Sequence, residues 1–244
     1  MKVIILAGGL GTRISEETQE KPKPMVKIGD YPILWHILQI YVIQGFNDFV
    51  IAAGYKSDVI RNWINQEKSK NLDWIKNLNI EVKDTGEASH TGGRLAMCIN
   101  EIQGETFLAT YGDGVANVDI KKLIRFHENT KGTATLTAVR PPARFGHVDI
   151  YGDTIKHFGE KNQTDEGWIN GGFFIVNRGI TDYIDGANEP LEIGALPKLA
   201  KSGKLMAYKH YGFWQPMDTL RDKEQLTQIV KSTNINQLPW LSIK

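Results

Sequence analysis

Val3-Ile4-Ile5-Leu6-Ala7, followed directly by Gly8-Gly9-Leu10-Gly11-Thr12-Arg13, is the stretch on which the fold turns. Five apolar residues rich in β-branched side chains, with no polar alternation, describe a strand covered on both faces, as the strands of a parallel sheet are. The glycines end it. Glycine accepts positive φ and lets backbone amides approach a ligand with no Cβ in the way, and successive amides in such a turn form an anion-binding concavity. The loop lacks the Gly-Lys-Ser/Thr ending of a Walker loop, and Ile14 stands where the third glycine of a dinucleotide fingerprint belongs. On its own it reads either as a tight connection or as a phosphate cradle.

The residues that follow tilt the choice toward phosphate. Arg13 offers a planar fork matched to phosphate oxygens. Lys21-Pro22-Lys23-Pro24 sets two lysines among prolines that exclude a helix interior and restrict the backbone. Working outward, apolar spacing predicts helices over 33–43 (with Gly45 as stop signal), around 59–64, over 120–127 with Asp119 near its start, over 191–200 and over 220–230. Strands are expected over 49–53, 80–82, 106–110, 133–139, 172–176 and 205–208, with a hairpin of 147–150 and 154–158 turning at Gly152-Asp153. The polar run 68–76 reads as a loop or a frayed helix end. Later strands follow one another without helices, so the expected architecture is α/β: a doubly wound, mostly parallel mixed sheet with a small β elaboration. Asp113, within Tyr111-Gly112-Asp113-Gly114, falls at the carboxyl end of a predicted strand, the edge where open α/β sheets bind ligands.

Composition bounds the rest. With 244 residues, 41% of them apolar, a single domain over 1–244 is expected. A formal charge of +1, from 29 basic and 28 acidic residues, gives no long-range field for nucleic acid or an anionic membrane. A lone cysteine, Cys98, excludes an internal disulfide, no apolar run approaches the roughly 20 residues of a membrane span, and no signal peptide leads into the first strand. Together these fit a cytoplasmic protein. The six histidines show no zinc spacing, and no serine sits in a G-x-S-x-G elbow.

Gly8 to Arg13 with Lys21 to Pro24 resembles the G-G-x-G-T-R and K-P-K-P signature of the sugar nucleotidylyltransferases. Four further blocks, 84–94, 111–114, 169–174 and 212–223, resemble the cytidylyltransferase branch of that family, among them Thr91-Gly92-Gly93-Arg94 and Phe213-Trp214-Gln215-Pro216-Met217-Asp218-Thr219. The resemblance implies a Rossmann-like nucleotidyltransferase fold, with about 1–130 as a nucleotide-binding half and about 131–244 as a sugar-binding half. It implies that Leu6, Ala7, Gly8, Gly9, Gly11, Thr12, Arg13, Ser89, Arg94 and Gly112 bind nucleotide, that Arg13, Lys23 and Asp113 are catalytic, and that Asp113 and Asp218 hold Mg2+. Glu160, Lys161, Asn170, Gly171 and Trp214 fall to the sugar. Read singly, Asp113 is a turn residue, Asp218 a helix cap, Glu160-Lys161 a surface ion pair and Trp214 a packing residue.

The activity implied is in-line attack by an oxygen of glucose 1-phosphate on the α-phosphorus of CTP, with release of pyrophosphate, in a homo-oligomer. The same chemistry with dTTP, UTP or GTP, or with another sugar 1-phosphate, is the neighbouring alternative; a non-catalytic nucleotide-sugar binder is the alternative of another class. Two departures stand out: Asn162 occupies a position where the family commonly has proline, and the segment between Tyr55 and Asp84 is shorter than in the cytidylyltransferase branch.

Overall fold

The computed structural model describes residues 1–141, 146–160 and 167–243, and for 146–150 and 157–160 the backbone alone. The chain begins with β1 (Val3–Ala7), the glycine loop and the one-turn helix α1 (Ser15–Thr18), then the short strand pair β2 (Lys27–Ile28) and β3 (Tyr31–Pro32). Next come α2 (Ile33–Val42), β4 (Asp48–Ala53), α3 (Ser57–Ser69), β5 (Asn79–Asp84), α4 (Thr91–Glu101), β6 (Thr106–Tyr111), β7 (Gly114–Ala116) and α5 (Ile120–Glu128). The second half runs β8 (Ala134–Val139), β9 (Gly146–Tyr151), β10 (Thr154–Glu160), β11 (Ile169–Asn177), α6 (Ala195–Lys201), β12 (Leu205–Lys209), β13 (Trp214–Pro216) and α7 (Leu220–Ser232).

Seven strands form one sheet in the order β12-β8-β11-β6-β1-β4-β5. β1 pairs in parallel with β4 and with β6, β4 with β5, and β12 with β8, whereas β11 runs antiparallel to β6 and β8. This is the mostly parallel mixed sheet expected. The five residues of β1 are all buried because the sheet is covered on both faces. Val3, Ile5 and Ala7 join one apolar cluster with Ile37, Tyr41, Ile60 and Trp240, while Ile4 and Leu6 join the other with Leu95, Cys98, Ile99 and Leu199. Strand alternation thus sends one face to α2 and α3 and the other to α4 and α6. The predicted hairpin is present as antiparallel β9 and β10.

Two local expectations are corrected. The helix expected over 191–200 begins only at Ala195, because Gly194, with φ −96 and ψ −91, closes a turn from Pro190 in which its N–H donates to the Pro190 carbonyl at 3.0 Å. Helix α4, unassigned by sequence pattern, buries Leu95, Cys98 and Ile99 on one side of the sheet. Its glycine pair, Gly92-Gly93, masks a helix start, and a Cβ on either residue would collide with the backbone of 187–191.

Beneath the β2–β3 turn, His36 on α2 is fully buried. Its Nε2 lies 3.1 Å from the Ile28 carbonyl, and its ring meets Trp35 and Trp240 edge-on. Burial, opposed only by that one hydrogen bond, pushes its pKa down from 6.5 to about 4. Between those values the unfolded chain holds a proton that the folded chain refuses, so stability falls as pH drops through this window and is fully present above it. We predict that acidification from 6.5 to 4 costs on the order of 3 kcal/mol through this group. Urea titrations at stepped pH should give a steeper acid loss for the native chain than for His36→Gln.

Candidate active site

The neighbouring strands β1 and β6 place the site. From β1 the chain winds outward through β4 and β5, then returns to β6 on the other side of β1. The carboxyl ends of β1 and β6 therefore flank a topological switch point, where a crevice forms. The glycine loop leaves β1 there, and Gly112-Asp113 leaves β6 beside it, with the Gly112 N–H donating to the Leu6 carbonyl at 3.0 Å.

Gly11 sits at φ +67, ψ +32, the left-handed conformation that turns the chain into Thr12–Ile14. Gly8 has a different reason to be glycine: a Cβ there would fall inside the guanidinium of Arg94. That guanidinium, on a residue 3% exposed, donates to the Gly8 carbonyl at 2.9 Å, the Ala53 carbonyl at 3.0 Å, Thr85 Oγ1 at 2.6 Å and the Glu87 carbonyl at 3.2 Å. Arg94 thus lies under the loop as a clamp.

Asp113 and Asp218 converge through a small antiparallel ribbon. β13 pairs with β7 so that Pro216 faces Gly114, and the Met217 N–H donates to the Asp113 carbonyl at 2.8 Å. Thr219 caps α7, its hydroxyl accepting from the Asp222 N–H at 3.2 Å while Asp222 accepts from the Thr219 N–H at 2.9 Å. The cap is therefore made by Thr219 and Asp222, and the Asp218 carboxylate turns into the crevice. There the Lys23 ammonium reaches Asp113 Oδ2 at 2.7 Å and Asp218 Oδ1 at 2.8 Å, and Arg13 Nη1 reaches Asp218 Oδ2 at 3.2 Å. Burial works against the Lys23 charge, but the two carboxylates outweigh it and hold the ammonium above the ordinary lysine value. Arg13 is three-quarters exposed, so its fork can turn to another anion at small cost.

The crevice has two lobes. One, of about 350 Å³, is lined by Leu6, Ala7, Gly9, Gly11, Thr12, Arg13, Lys23, Pro24, Gly112, Asp113 and Asp218, together with Thr91, Tyr111 and Glu192. The other, of about 290 Å³, is lined by Asn170, Gly171, Trp214, Ile169 and Pro216 among others. Arg13, Tyr111, Asp113 and Asp218 line both, so the lobes meet at the carboxylate pair. Trp214 Nε1 donates to the Gly171 carbonyl at 2.8 Å, which fixes the indole against the wall.

Of the residues expected at the site, the lobes bring together Leu6, Ala7, Gly9, Gly11, Thr12, Arg13, Lys23, Gly112, Asp113, Asp218, Asn170, Gly171 and Trp214. Gly8 and Arg94 stand behind the loop, and Ser89 Oγ donates to the Thr85 carbonyl at 2.6 Å in the turn before α4. The Glu160 side chain and all of Lys161 lie outside the described residues. Sequence reading missed Thr91, Tyr111 and Glu192 as lining residues. Tyr111, two residues before Asp113, carried a signal in its place at the strand end; Glu192 carried none.

Among the described residues no three His, Cys, Asp or Glu side chains gather into a self-sufficient metal site. Asp113 and Asp218, already converging on one cation, match the few protein carboxylates that magnesium takes alongside phosphate oxygens and water.

A doubly covered α/β sheet, an amide cradle at its switch point and a cation-bridged carboxylate pair between two lobes define a protein that handles a polyphosphate beside a second substrate. The chain belongs to the nucleotidyl transferase family, whose model matches residues 2–223. It is 45% identical to the glucose-1-phosphate cytidylyltransferase of Salmonella typhi, over 98% of each chain. It is 38% identical to a probable glucose-1-phosphate cytidylyltransferase of Bacillus subtilis, over 98% of this chain and 99% of that one. The crystal structure of HddC from Yersinia pseudotuberculosis complexed with GMP-PN shares the fold, with a TM-score of 0.72 at 24% identity over 93% of this chain and 98% of that one. No helix among the described residues is long and apolar enough to cross a membrane.

The Arg94 clamp can be tested by stability alone. Gly8→Ala should lose about 1–3 kcal/mol by overpacking against the guanidinium. Gly9→Ala, with nothing within 4 Å of the added methyl, should hold its denaturation midpoint.

Proposed function

We propose that this chain transfers the cytidylyl group of CTP to glucose 1-phosphate, forming CDP-glucose and pyrophosphate. The observation that carries the reading is the convergence of Asp113, Asp218, Lys23 and Arg13 where the two lobes meet. The choice of CTP and glucose 1-phosphate is supported by the near full-length similarity to glucose-1-phosphate cytidylyltransferases.

In this reading the glycine-loop amides and Thr12 hold the triphosphate in the larger lobe, and Asn170, Gly171 and Trp214 seat the sugar in the smaller one. The residues numbered about 1–130 supply most of the nucleotide side and those from about 131 the sugar side, with Asp218 reaching back across the ribbon. Asp113 and Asp218 would hold magnesium, which would supply neutralisation of phosphate oxygens. Lys23 then swings from the carboxylates to a phosphate oxygen, and Arg13 leaves Asp218 to meet charge accumulating on the leaving pyrophosphate. One oxygen of the sugar phosphate forms a bond to the α-phosphorus as the bond from that phosphorus to the bridging oxygen of the β-phosphate breaks, and the electron pair leaves with pyrophosphate. Both reactants are polyanions, so alignment and preorganised positive charge provide the acceleration, and no covalent protein intermediate is required. Cys98 takes no part: it is buried, and burial pushes its thiol up to about 12. A lone cysteine, with no internal disulfide to form, supports a cytoplasmic setting, and the family resemblance supports assembly as a homo-oligomer.

Pyrophosphate release measured over a matrix of nucleoside triphosphates and sugar 1-phosphates, with and without magnesium, should single out CTP with glucose 1-phosphate. A clear preference for another pair would replace the substrates while leaving the chemistry. Asp113→Asn and Asp218→Asn should each keep the fold by circular dichroism and lower kcat by roughly a hundredfold or more, in the range of a lost transition-state contact. Near-normal turnover in both would remove the carboxylates from the mechanism.

A further inference from the structure

Glu192 lies in the turn closed by Pro190 and Gly194, outside every sequence motif discussed above, and it borders only the larger lobe. Although exposed, its carboxylate is held at both oxygens: Oε1 accepts from the Tyr111 hydroxyl, and Oε2 accepts from Thr91 Oγ1 at 2.9 Å. Each donor is itself fixed. Thr91 Oγ1 accepts from the Leu191 N–H at 2.9 Å, and the Tyr111 oxygen accepts from Asn170 Nδ2 at 3.0 Å. The turn is also docked on the start of α4, where the His90 N–H donates to the Ala187 carbonyl at 3.0 Å and the Gly92 N–H to the Glu189 carbonyl at 2.9 Å.

A carboxylate oxygen has two acceptor sites, so each oxygen of Glu192 retains one after these bonds. Phosphates are drawn to the cations Lys23 and Arg13, and the negative charge of Glu192 repels them. Of the groups a nucleotide carries, those a carboxylate can accept from are its neutral N–H and O–H donors. We infer that Glu192 reads the nucleoside, accepting a hydrogen bond from an N–H or O–H donor of it. A cytidine nucleotide offers two such sources: the exocyclic amine of the base, which uracil and thymine replace by an acceptor oxygen, and the ribose hydroxyls. A carboxylate acceptor in this place favours cytosine over uracil if it meets the base, and ribose over deoxyribose if it meets the sugar. This inference rests on the nucleotide assigned under the proposed function and names a residue that selects it.

The test uses the full chain and its Glu192→Gln and Glu192→Ala variants. For each, kcat/KM for pyrophosphate release and the equilibrium dissociation constant are measured with CTP, UTP, 2′-deoxy-CTP and 3′-deoxy-CTP. Ratios between nucleotides on one preparation are independent of its folded fraction, so a partly unfolded variant still reports. Removing a charged acceptor should weaken CTP by roughly tenfold or more. If the donor is the amine, UTP is unaffected and the CTP-to-UTP ratio falls by that factor. If it is a ribose hydroxyl, the matching deoxynucleotide is unaffected and the ratio of CTP to that analogue falls. A common factor across all four nucleotides, or no change in any, overturns the assignment. Should the unaltered chain prefer a triphosphate other than CTP, the substrate reading fails. Glu192 is then judged on the ribo and deoxy forms of the preferred triphosphate, and a common factor across those forms again overturns it.

Discussion

Two carboxylates side by side in one crevice repel each other, and the organisation of this molecule turns on how they are held together. The β7–β13 ribbon brings Asp113 and Asp218 side by side with backbone bonds that ignore side-chain charge. Lys23, delivered by the Lys-Pro-Lys-Pro segment, supplies the counter-charge at 2.7 and 2.8 Å. With the ribbon in place, loss of the lysine would leave like charges facing one another in a partly desolvated site. The arrangement is therefore a pair of carboxylates balanced by Lys23 and Arg13.

The same economy of parts governs the loop opposite. Arg94 holds the glycine loop from behind through the Gly8 carbonyl, and it can lie there because Gly8 and Gly54 leave room for its guanidinium. A basic residue in a phosphate-handling protein invites assignment to the phosphate. Here four acceptors from three separate segments hold the guanidinium beneath the cradle. Similarly, Thr219 and Asp222 make the helix cap between themselves, which leaves Asp218 for the crevice.

Elements with strong periodicity were legible. β1 was readable to its end residues, and α2, β4, β6, α5 and β12 lie where apolar spacing put them, because buried faces must repeat with the period of the backbone. Helix α4 was hidden by Gly92-Gly93, which look like a loop and are instead required by close backbone contact with 187–191. The start of α6 was misjudged because Leu191 continues its apolar pattern through a turn that Pro190 and Gly194 had already closed.

By itself the sequence determined the parallel strand, the glycine turn after it, the nearby cations and the acidic strand end, since each is written in adjacent residues whose local chemistry admits few conformations. It could not determine which distant residues meet. That Asp218 joins Asp113, that Arg94 supports the loop from below, and that Glu192 enters the larger lobe through Tyr111 and Thr91 were decided by sheet order and ribbon pairing. The physical reason is that periodicity and turn chemistry act over a few residues, whereas a site is assembled by packing, which pairs residues by position in space and leaves no trace in their spacing along the chain.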